Sequence, residues 1–237
     1  IVYGESPFSF AAKQGMTTDE ADDIFDKYFN GKPKVKDFID NTHEFAKKNG
    51  YVTTLNGHRR LIREAMSKNK TTMNKGLRKS VNTIIQGTGA YLTNLALVYL
   101  DEYIISQNLR SRIVLTVHDS IVVDCPRDEY QLIAKIMKTI MENLPVDFLQ
   151  IDWKGEKIKY PIKADVEIGT NYNDAVDYEP EEINTFNSVE GYIKYNMDLA
   201  TVGDYKDKKL ITPERYEESV EQIENAKPAY QKITQYN

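Results

Sequence analysis

The stretch Ile113-Val114-Leu115-Thr116-Val117-His118-Asp119-Ser120-Ile121-Val122-Val123-Asp124 holds two apolar, β-branched runs separated by two polar residues. Runs of this kind favour strands, and a two-residue break is long enough for a tight turn. The stretch therefore predicts a hairpin with His118 and Asp119 at its tip. A rigidly held carboxylate suits Mg²⁺, which takes one or two carboxylates together with phosphates and water. Aspartate is also a common turn residue for conformational reasons alone, so that interpretation stays open.

Helical patterns lie on both sides of this hairpin. A capping box formed by Thr17 and Glu20 opens one helix, and a second helix is predicted from about Val35 to Asn49. A long pattern runs from about Lys75 to Gln107, and an amphipathic helix is predicted at 127–143. Further strands are predicted at 51–55, 58–62 and 160–168, with Asn56-Gly57 as a hairpin turn. Helices packed on a small antiparallel sheet predict an α+β fold.

Three polar residues of the long helix, Arg78, Asn82 and Gln86, lie four residues apart and so share one stripe. Gly89 and Ala90 continue the stripe with almost no side chain, which leaves room for a close approach to the backbone. Amide side chains can pair with base edges or sugars, and arginine can hold a phosphate. The stripe predicts contact with nucleic acid, and a solvated polar face is the alternative.

Charge is unevenly distributed along the 237 residues, whose net charge is −5. Residues 43–80 hold 10 Lys and Arg against 2 Glu, which is typical of a polyanion-binding surface but also of a solvated face. Residues 179–237 hold 12 acidic and 7 basic residues, and their pattern suggests no function. Cys125 is the single cysteine, which excludes an internal disulfide, and no zinc-finger spacing is present. No apolar run reaches the roughly 18 residues of a membrane span, so we expect no membrane partner, and the single cysteine fits a reducing cytoplasm.

An HD-type phosphohydrolase is a further possibility, because the chain contains His43, His58, His118 and Asp119. That class needs its histidine–aspartate pair on a helix. Here the pair lies between two strand-like runs, which argues against this class.

Five segments, in order, resemble motifs of family A DNA polymerases, the bacterial DNA polymerase I type and its phage relatives. Val2–Ser6, V-Y-G-E-S, is similar to the end of the fingers helix called motif B, and Tyr51–Arg60 to the pattern Y-V-x-T-x-x-G-R-R. Asn82–Gly89, N-T-I-I-Q-G-T-G, resembles N-x-x-x-Q-G-T-A. Thr116–Val122 resembles motif C, and Asp165–Asn173 resembles the closing D-V-x-x-G-x-N/D-W segment. The resemblance covers about residues 1–178.

The resemblance implies transfer of a nucleotide from a dNTP to a primer 3′ end, with two Mg²⁺ ions. It makes Asp119 the motif C metal ligand and catalytic carboxylate, and His118 a catalytic residue beside the primer terminus. Tyr3 and Gly4 would contact the nucleotide and the template. Contacts with the primer–template are implied for Arg59, Arg60, Arg78, Asn82 and Gln86.

Departures from the family pattern limit these expectations. Motif A, which carries the second metal carboxylate, has no match, and the motif B arginine and lysine would precede Ile1. Ser120 stands where many relatives have glutamate, His58 replaces an arginine, and 147–160 looks like an insertion.

We therefore expect the C-terminal part of a longer or split polymerase, of phage type, acting in the bacterial host cytoplasm. It would need an N-terminal part, on a partner or on the same chain, to supply the second carboxylate. We expect partial fingers at 1–50, a palm with motif C at 51–178, and an acidic extension of unknown role at 179–237. A non-catalytic DNA-binding module or an interaction protein is the alternative.

Overall fold

The computed structural model describes residues 4–234. Its helices are α1 (Pro7–Gln14), α2 (Thr18–Asn30), α3 (Pro33–Asn49), α4 (Lys70–Ser106), α5 (Tyr130–Glu142), α6 (Pro180–Ile183), α7 (Val189–Asp207) and α8 (Pro213–Gln231). Its strands are β1 (Tyr51–Thr53), β2 (Arg59–Leu61), β3 (Arg112–Val117), β4 (Ser120–Asp124), β5 (Gln150–Trp153), β6 (Glu156–Lys159), β7 (Glu167–Ile168) and β8 (Val176–Asp177). Each odd-numbered strand pairs with the next even-numbered one, and short 3₁₀ turns lie at Arg63–Met66 and Asp147–Leu149. The predicted α+β class is confirmed.

The chain divides by contacts into two compact units. The first comprises the chain up to Tyr99, Val114–Val122 and Leu144–Tyr160, and the second comprises Leu100–Ile113, Val123–Asn143 and the chain from Pro161 onward. The division into fingers, palm and extension at residues 50 and 178 stays a prediction.

Helix starts follow from their capping side chains. The capping box is confirmed at α2, where the Thr17 hydroxyl accepts from the Glu20 amide and the Glu20 carboxylate accepts from the Thr17 amide at 2.8 Å. Helix α4 begins at Lys70, five residues before its predicted start. The reason is Asn69, whose side-chain oxygen accepts from the Thr72 amide at 3.0 Å and so caps the first turn.

Two predicted strands are shorter than expected. Strand β1 stops at Thr53, because the Thr54 hydroxyl donates to the Asn56 side chain at 2.6 Å and begins a loop that runs to His58. In the 160–168 stretch, only Glu167–Ile168 pairs with another strand. Backbone groups of Ala164 bond instead to the side chains of Lys138 and Glu142, so no strand partner satisfies them.

The first unit is centred on a small apolar core that α3, β1 and α4 share. Its members are Ala46, Val52, Ile62, Ala65 and Leu77. Gly76 permits this packing, since a Cβ atom there would lie 2.3 Å from the Ala65 amide nitrogen. The turn at 63–66 therefore packs directly on α4.

The acidic extension is a folded part of the second unit. Its helices share a core with strand β8, and the buried members are Val176, Ile183, Phe186, Tyr192, Ile193 and Tyr195. The Tyr192 hydroxyl donates to the Asp177 carbonyl at 2.6 Å and accepts from the Glu179 amide at 3.1 Å. Arg127, just before α5, pairs with Glu190 of α7. Within residues 4–234, no helix is both long and apolar enough to cross a bilayer.

A buried carboxylate in the second unit fixes the segment that leads into β3. Glu129 accepts hydrogen bonds from the Ser111 hydroxyl at 2.6 Å and from the amides of Arg110 and Ser111. The bond from the Ser111 hydroxyl, followed by the bond from the Arg110 amide, lowers the pKa of Glu129 to about 2. The carboxylate is therefore ionised, and well supplied with donors, throughout the neutral range.

Replacing Glu129 by glutamine is expected to lower the melting temperature at pH 7, on the order of several degrees, because one of its two acceptor oxygens becomes an NH₂ group that faces buried donors. The ionised carboxylate stabilises the wild type fully above its ordinary pKa of 4.5, and this contribution disappears as the pH falls through about 2. The difference between the two proteins should therefore shrink between pH 4.5 and 2 in thermal unfolding. Glu102→Gln, at an exposed position of α4, is the control and should match the wild type throughout. A constant difference at every pH would contradict this account.

Candidate metal-binding turn and nucleic-acid interface

The predicted hairpin with two residues at its tip is confirmed. Strands β3 and β4 form a two-stranded sheet with only His118 and Asp119 between them. His118 has a φ of 54°, in the left-handed region, and the tight two-residue turns that fit twisted strands need such a φ. Across the turn, the Ser120 hydroxyl donates to the Val117 carbonyl at 2.9 Å. Both tip side chains are exposed.

Asp119 presents a carboxylate that other groups can bind. Among residues 4–234 it has no hydrogen-bond or ion-pair partner, and no group of three or more His, Cys, Asp and Glu side chains there could hold a metal ion. A single aspartate fits Mg²⁺ when phosphates, water and a further carboxylate complete the coordination. Asp119 therefore fits as one ligand of a shared site, and the described residues do not form a complete one.

The HD-type arrangement is not present at this turn. His43 lies on α3, where partial burial and then Lys47 lower the pKa of its imidazole. His58 ends the loop between β1 and β2, and His118 lies between two strands. The helical setting that an HD pair requires is therefore missing at His118 and Asp119.

The polar stripe of α4 is confirmed as a helical arrangement, but its three residues differ in exposure. Arg78 and Gln86 are exposed, whereas Asn82 is partly buried and its side-chain oxygen is buried without a hydrogen-bond partner. A buried, unpaired amide oxygen is unfavourable by about 1–3 kcal/mol. Arg78 and Gln86 are therefore the accessible members of the stripe.

Gly87 and Gly89, the two glycines of α4 beside the stripe, serve different purposes. At Gly87 a Cβ atom would lie 2.8 Å from the methyl carbon of Thr54, so this glycine lets the loop after β1 pack on the helix. The hydroxyl of Thr88 accepts from the Leu55 amide at 3.2 Å and fixes the same loop. At Gly89 no atom lies within 4 Å of an added Cβ, and Ala90 is exposed. The open approach expected beside the stripe therefore exists at Gly89 and Ala90.

The two arginines of β2 differ in their packing. Arg59 and Arg60 are exposed on β2, opposite Thr53 and Val52. The Arg59 guanidinium lies 3.5 Å from the centre of the Tyr51 ring, a cation–π contact that limits its freedom. Both arginines are exposed and can contact a phosphate backbone.

Gly4 makes its close approach to a different partner from the expected one. Its φ is +79°, and a Cβ atom there would lie 2.7 Å from the Cγ of Arg78. The structure thus brings Gly4 and Arg78 together, and contact of Gly4 with a nucleotide stays a prediction. Tyr3 lies outside the described residues.

Every predicted site residue from Gly4 onward belongs to the first unit.

Two features of the first unit were not predicted from the sequence. The bond between Thr88 and Leu55 joins residues 33 apart and has no local signal. The hairpin of β5 and β6 does have a local signal in the sequence, because Ile151, Trp153 and Ile158 alternate with polar residues around Lys154-Gly155.

The hairpin with its exposed carboxylate and the long helix with its polar stripe are the two elements that the resemblance to family A DNA polymerases implies. The chain belongs to DNA polymerase family A, whose family model matches residues 1–174. The resemblance recognised in the motifs is thereby confirmed.

The relatives include phage and bacterial enzymes. The DNA polymerase of Bacillus phage SP01 is 39% identical over 179 residues, which cover 76% of this chain and 19% of that protein. DNA polymerase I of Caldicellulosiruptor bescii is 33% identical over 172 residues, 73% of this chain and 19% of that protein. The chain thus spans about a fifth of the length of these relatives. Among solved structures, the POL domain of Pol1 from M. smegmatis, in complex with DNA primer-template and dNTP, is similar with a TM-score of 0.57 and 30% identity over 60% of this chain and 25% of that one.

Proposed function

We propose that this chain supplies the motif C part of a DNA-directed DNA polymerase, which extends a primer on a DNA template with dNTPs. The observation that carries the proposal is the unpartnered Asp119 carboxylate at an exposed hairpin tip, in the same compact unit as the Arg78–Gln86 stripe. A pure DNA-binding module gains nothing from a carboxylate close to phosphates, since the two repel each other.

Asp119 would hold a divalent cation, together with the substrate phosphates and a carboxylate from motif A. When bound, the metal ions lower the pKa of the attacking hydroxyl and stabilise charge on the phosphoryl group. His118, whose backbone φ is fixed by the turn, would position the primer terminus beside Asp119. The rigid hairpin thus contributes mainly positioning, on which phosphoryl transfer strongly depends.

Arg78 and Gln86 would contact the primer–template in its minor groove, where the acceptor pattern is nearly the same for all correct pairs. Contacts of this type check the geometry of a pair without reading its sequence. The open surface at Gly89 lets the duplex approach the helix closely. Arg59 and Arg60 would contact the DNA backbone, because both are exposed on β2.

A second carboxylate is needed, since the described residues hold no three-ligand group. We propose that it comes from motif A, on the remainder of the same polymerase or on a partner polypeptide. This chain by itself would then bind DNA without extending a primer.

Gln86→Ala tests the proposed minor-groove contact. We expect extension from a mismatched primer end to fall by roughly ten-fold relative to a matched end, while duplex affinity changes little, because the lost contact senses pair geometry. The measurement compares both primers in enzyme complemented with a motif A polypeptide. Gln107→Ala, beyond the end of α4, is the matched control and should leave the ratio unchanged. If extension falls equally on both primers, in proportion to a loss of duplex affinity, Gln86 contributes only to DNA affinity and the proposed role is contradicted.

A further inference from the structure

The hairpin of β5 and β6 projects from the first unit with all of its residues exposed. Its register pairs Ile151 with Ile158 and Trp153 with Glu156. The ladder continues one step further, since the Tyr160 amide donates to the Leu149 carbonyl at 2.6 Å. Residues opposite one another in an antiparallel ladder share a face, and the next pair but one lies on that same face.

One face of this hairpin is therefore mostly apolar, with Glu156 as its charged member, and it is partly uncovered. Its side chains are exposed by 37% at Ile151, 60% at Trp153, 38% at Ile158 and 57% at Tyr160. Isolated two-stranded hairpins are marginally stable in water, so an uncovered apolar face of this kind gains from a partner. The two aromatic rings lie at opposite ends of the face, about 13 Å apart along the strands.

The turn of the hairpin keeps a positive charge at an unfavourable backbone position. Lys154 and Gly155 have φ values of 53° and 86°, as a type I′ turn requires at both central residues. Glycine, asparagine and aspartate suit such positions, whereas a long side chain does not. The lysine at this tip lies next to Trp153, and Lys157 lies on the opposite face, across from Asp152. Lysines outnumber acidic residues three to two over 150–159.

The hairpin begins beside the helix that carries the stripe. The ring of Phe148, just before β5, lies 6.2 Å from the ring of Tyr91 on α4. Tyr91 is five residues beyond Gln86. This contact attaches the hairpin near the middle of α4, close to Gly89 and Ala90, where the surface is open.

We propose that the hairpin binds an unpaired DNA strand, such as the template ahead of the primer. Bases would stack on Trp153 and Tyr160, and a phosphate would lie near Lys154 at the tip. Proteins that hold single strands combine aromatic stacking surfaces with nearby positive charge in this way. A protein partner would use the apolar face but would not account for a lysine kept at the tip. The inference rests on the proposed polymerase function, since it needs a template strand.

Trp153 is the single tryptophan of the chain, so its fluorescence reports on the hairpin directly. We expect saturable quenching when oligothymidylate is added to the full chain, and much weaker quenching by a blunt duplex of equal length. Quenching by an added motif A polypeptide, with none by either DNA, would show a protein-docking face and overturn the proposal. No change with any of the three would overturn it as well.

Variants measured by anisotropy of a labelled oligothymidylate complete the test. Trp153→Ala is expected to bind roughly ten-fold more weakly, because one stacking surface is lost. Lys154→Gly suits the positive φ and keeps the turn, and it should reduce the slope of log affinity against log salt by about 0.7. Tyr205→Ala removes an exposed ring from α7 and should bind like the wild type.

Duplex binding by Arg78→Ala separates this inference from the proposed function. If Trp153→Ala binds single strands normally while Arg78→Ala weakens duplex binding, the hairpin proposal fails and the polymerase proposal stands. If the wild-type chain binds neither form of DNA, both proposals fail.

Discussion

Replacing Asp119 by asparagine is expected to reduce primer extension by the complemented enzyme on the order of 10³-fold or more. Asparagine keeps the size and the turn-forming capacity of aspartate, so the hairpin should stay folded. It removes the negative charge that a divalent cation needs, and the described residues offer no group of ligands to replace it. Duplex affinity should stay the same or rise slightly, because a carboxylate near phosphates is repulsive.

Asp124→Asn provides a matched control for this change. Asp124 is exposed at the end of β4, in the same hairpin, and undergoes the same chemical replacement. Single-turnover extension at saturating DNA and dNTP separates the chemical step from binding. Full activity in Asp119→Asn, or equal losses in the two variants, would contradict the motif C assignment.

Replacing Tyr192 by alanine is expected to unfold much of the second unit. Tyr192 is 1% exposed, packs edge-on against Phe186 at 5.5 Å, and joins Asp177 to Glu179 through its hydroxyl. Removing a large buried aromatic side chain is unfavourable by roughly 3–5 kcal/mol. This is a large share of the roughly 5–15 kcal/mol that stabilises a typical domain. Chemical denaturation followed by circular dichroism, together with limited proteolysis, measures the effect.

Two further variants show which part of Tyr192 is responsible. Tyr192→Phe keeps the ring and loses only the hydroxyl bonds, so about 1–2 kcal/mol should be lost. Tyr205→Ala changes an exposed tyrosine of the same helix and should have little effect. A stable, protease-resistant Tyr192→Ala protein would mean that the extension is not needed by the second unit. The shared core also predicts that deleting residues 179–237 exposes Val176 and destabilises β8.

Local signals in the sequence predicted the elements that local chemistry determines. The β-branched runs around His118 and Asp119 predicted the hairpin of β3 and β4, and the spacing of Thr17 and Glu20 predicted the start of α2. The stripe of α4 followed from helical spacing alone. The family motifs then predicted that these elements belong to a family A polymerase, because five segments matched its motifs in order.

The remaining features depend on contacts between distant residues. The 160–168 strand was overestimated because Lys138 and Glu142 bond to the backbone of Ala164. The hydrophobic pattern of helix α7 is weak because the helix buries tyrosines, whose side chains end in a polar hydroxyl. Gly191 also lets α8 approach closely, since a Cβ atom there would lie 2.5 Å from the Tyr230 carbonyl oxygen, and this contact has no local signal in the sequence. The sequence likewise gave no sign that the oxygen of Asn82 would be buried.

Magnesium-dependent primer extension tests the central claim most directly. The assay compares three samples: this chain alone, a polypeptide carrying motif A and the rest of motif B alone, and the two mixed. We predict extension only in the mixture, because Asp119 supplies one carboxylate of a shared metal site. Extension by this chain alone would contradict the account, since it would place a second metal carboxylate within these 237 residues. A mixture that binds DNA but extends no primer would contradict it too, and would favour a non-catalytic DNA-binding module.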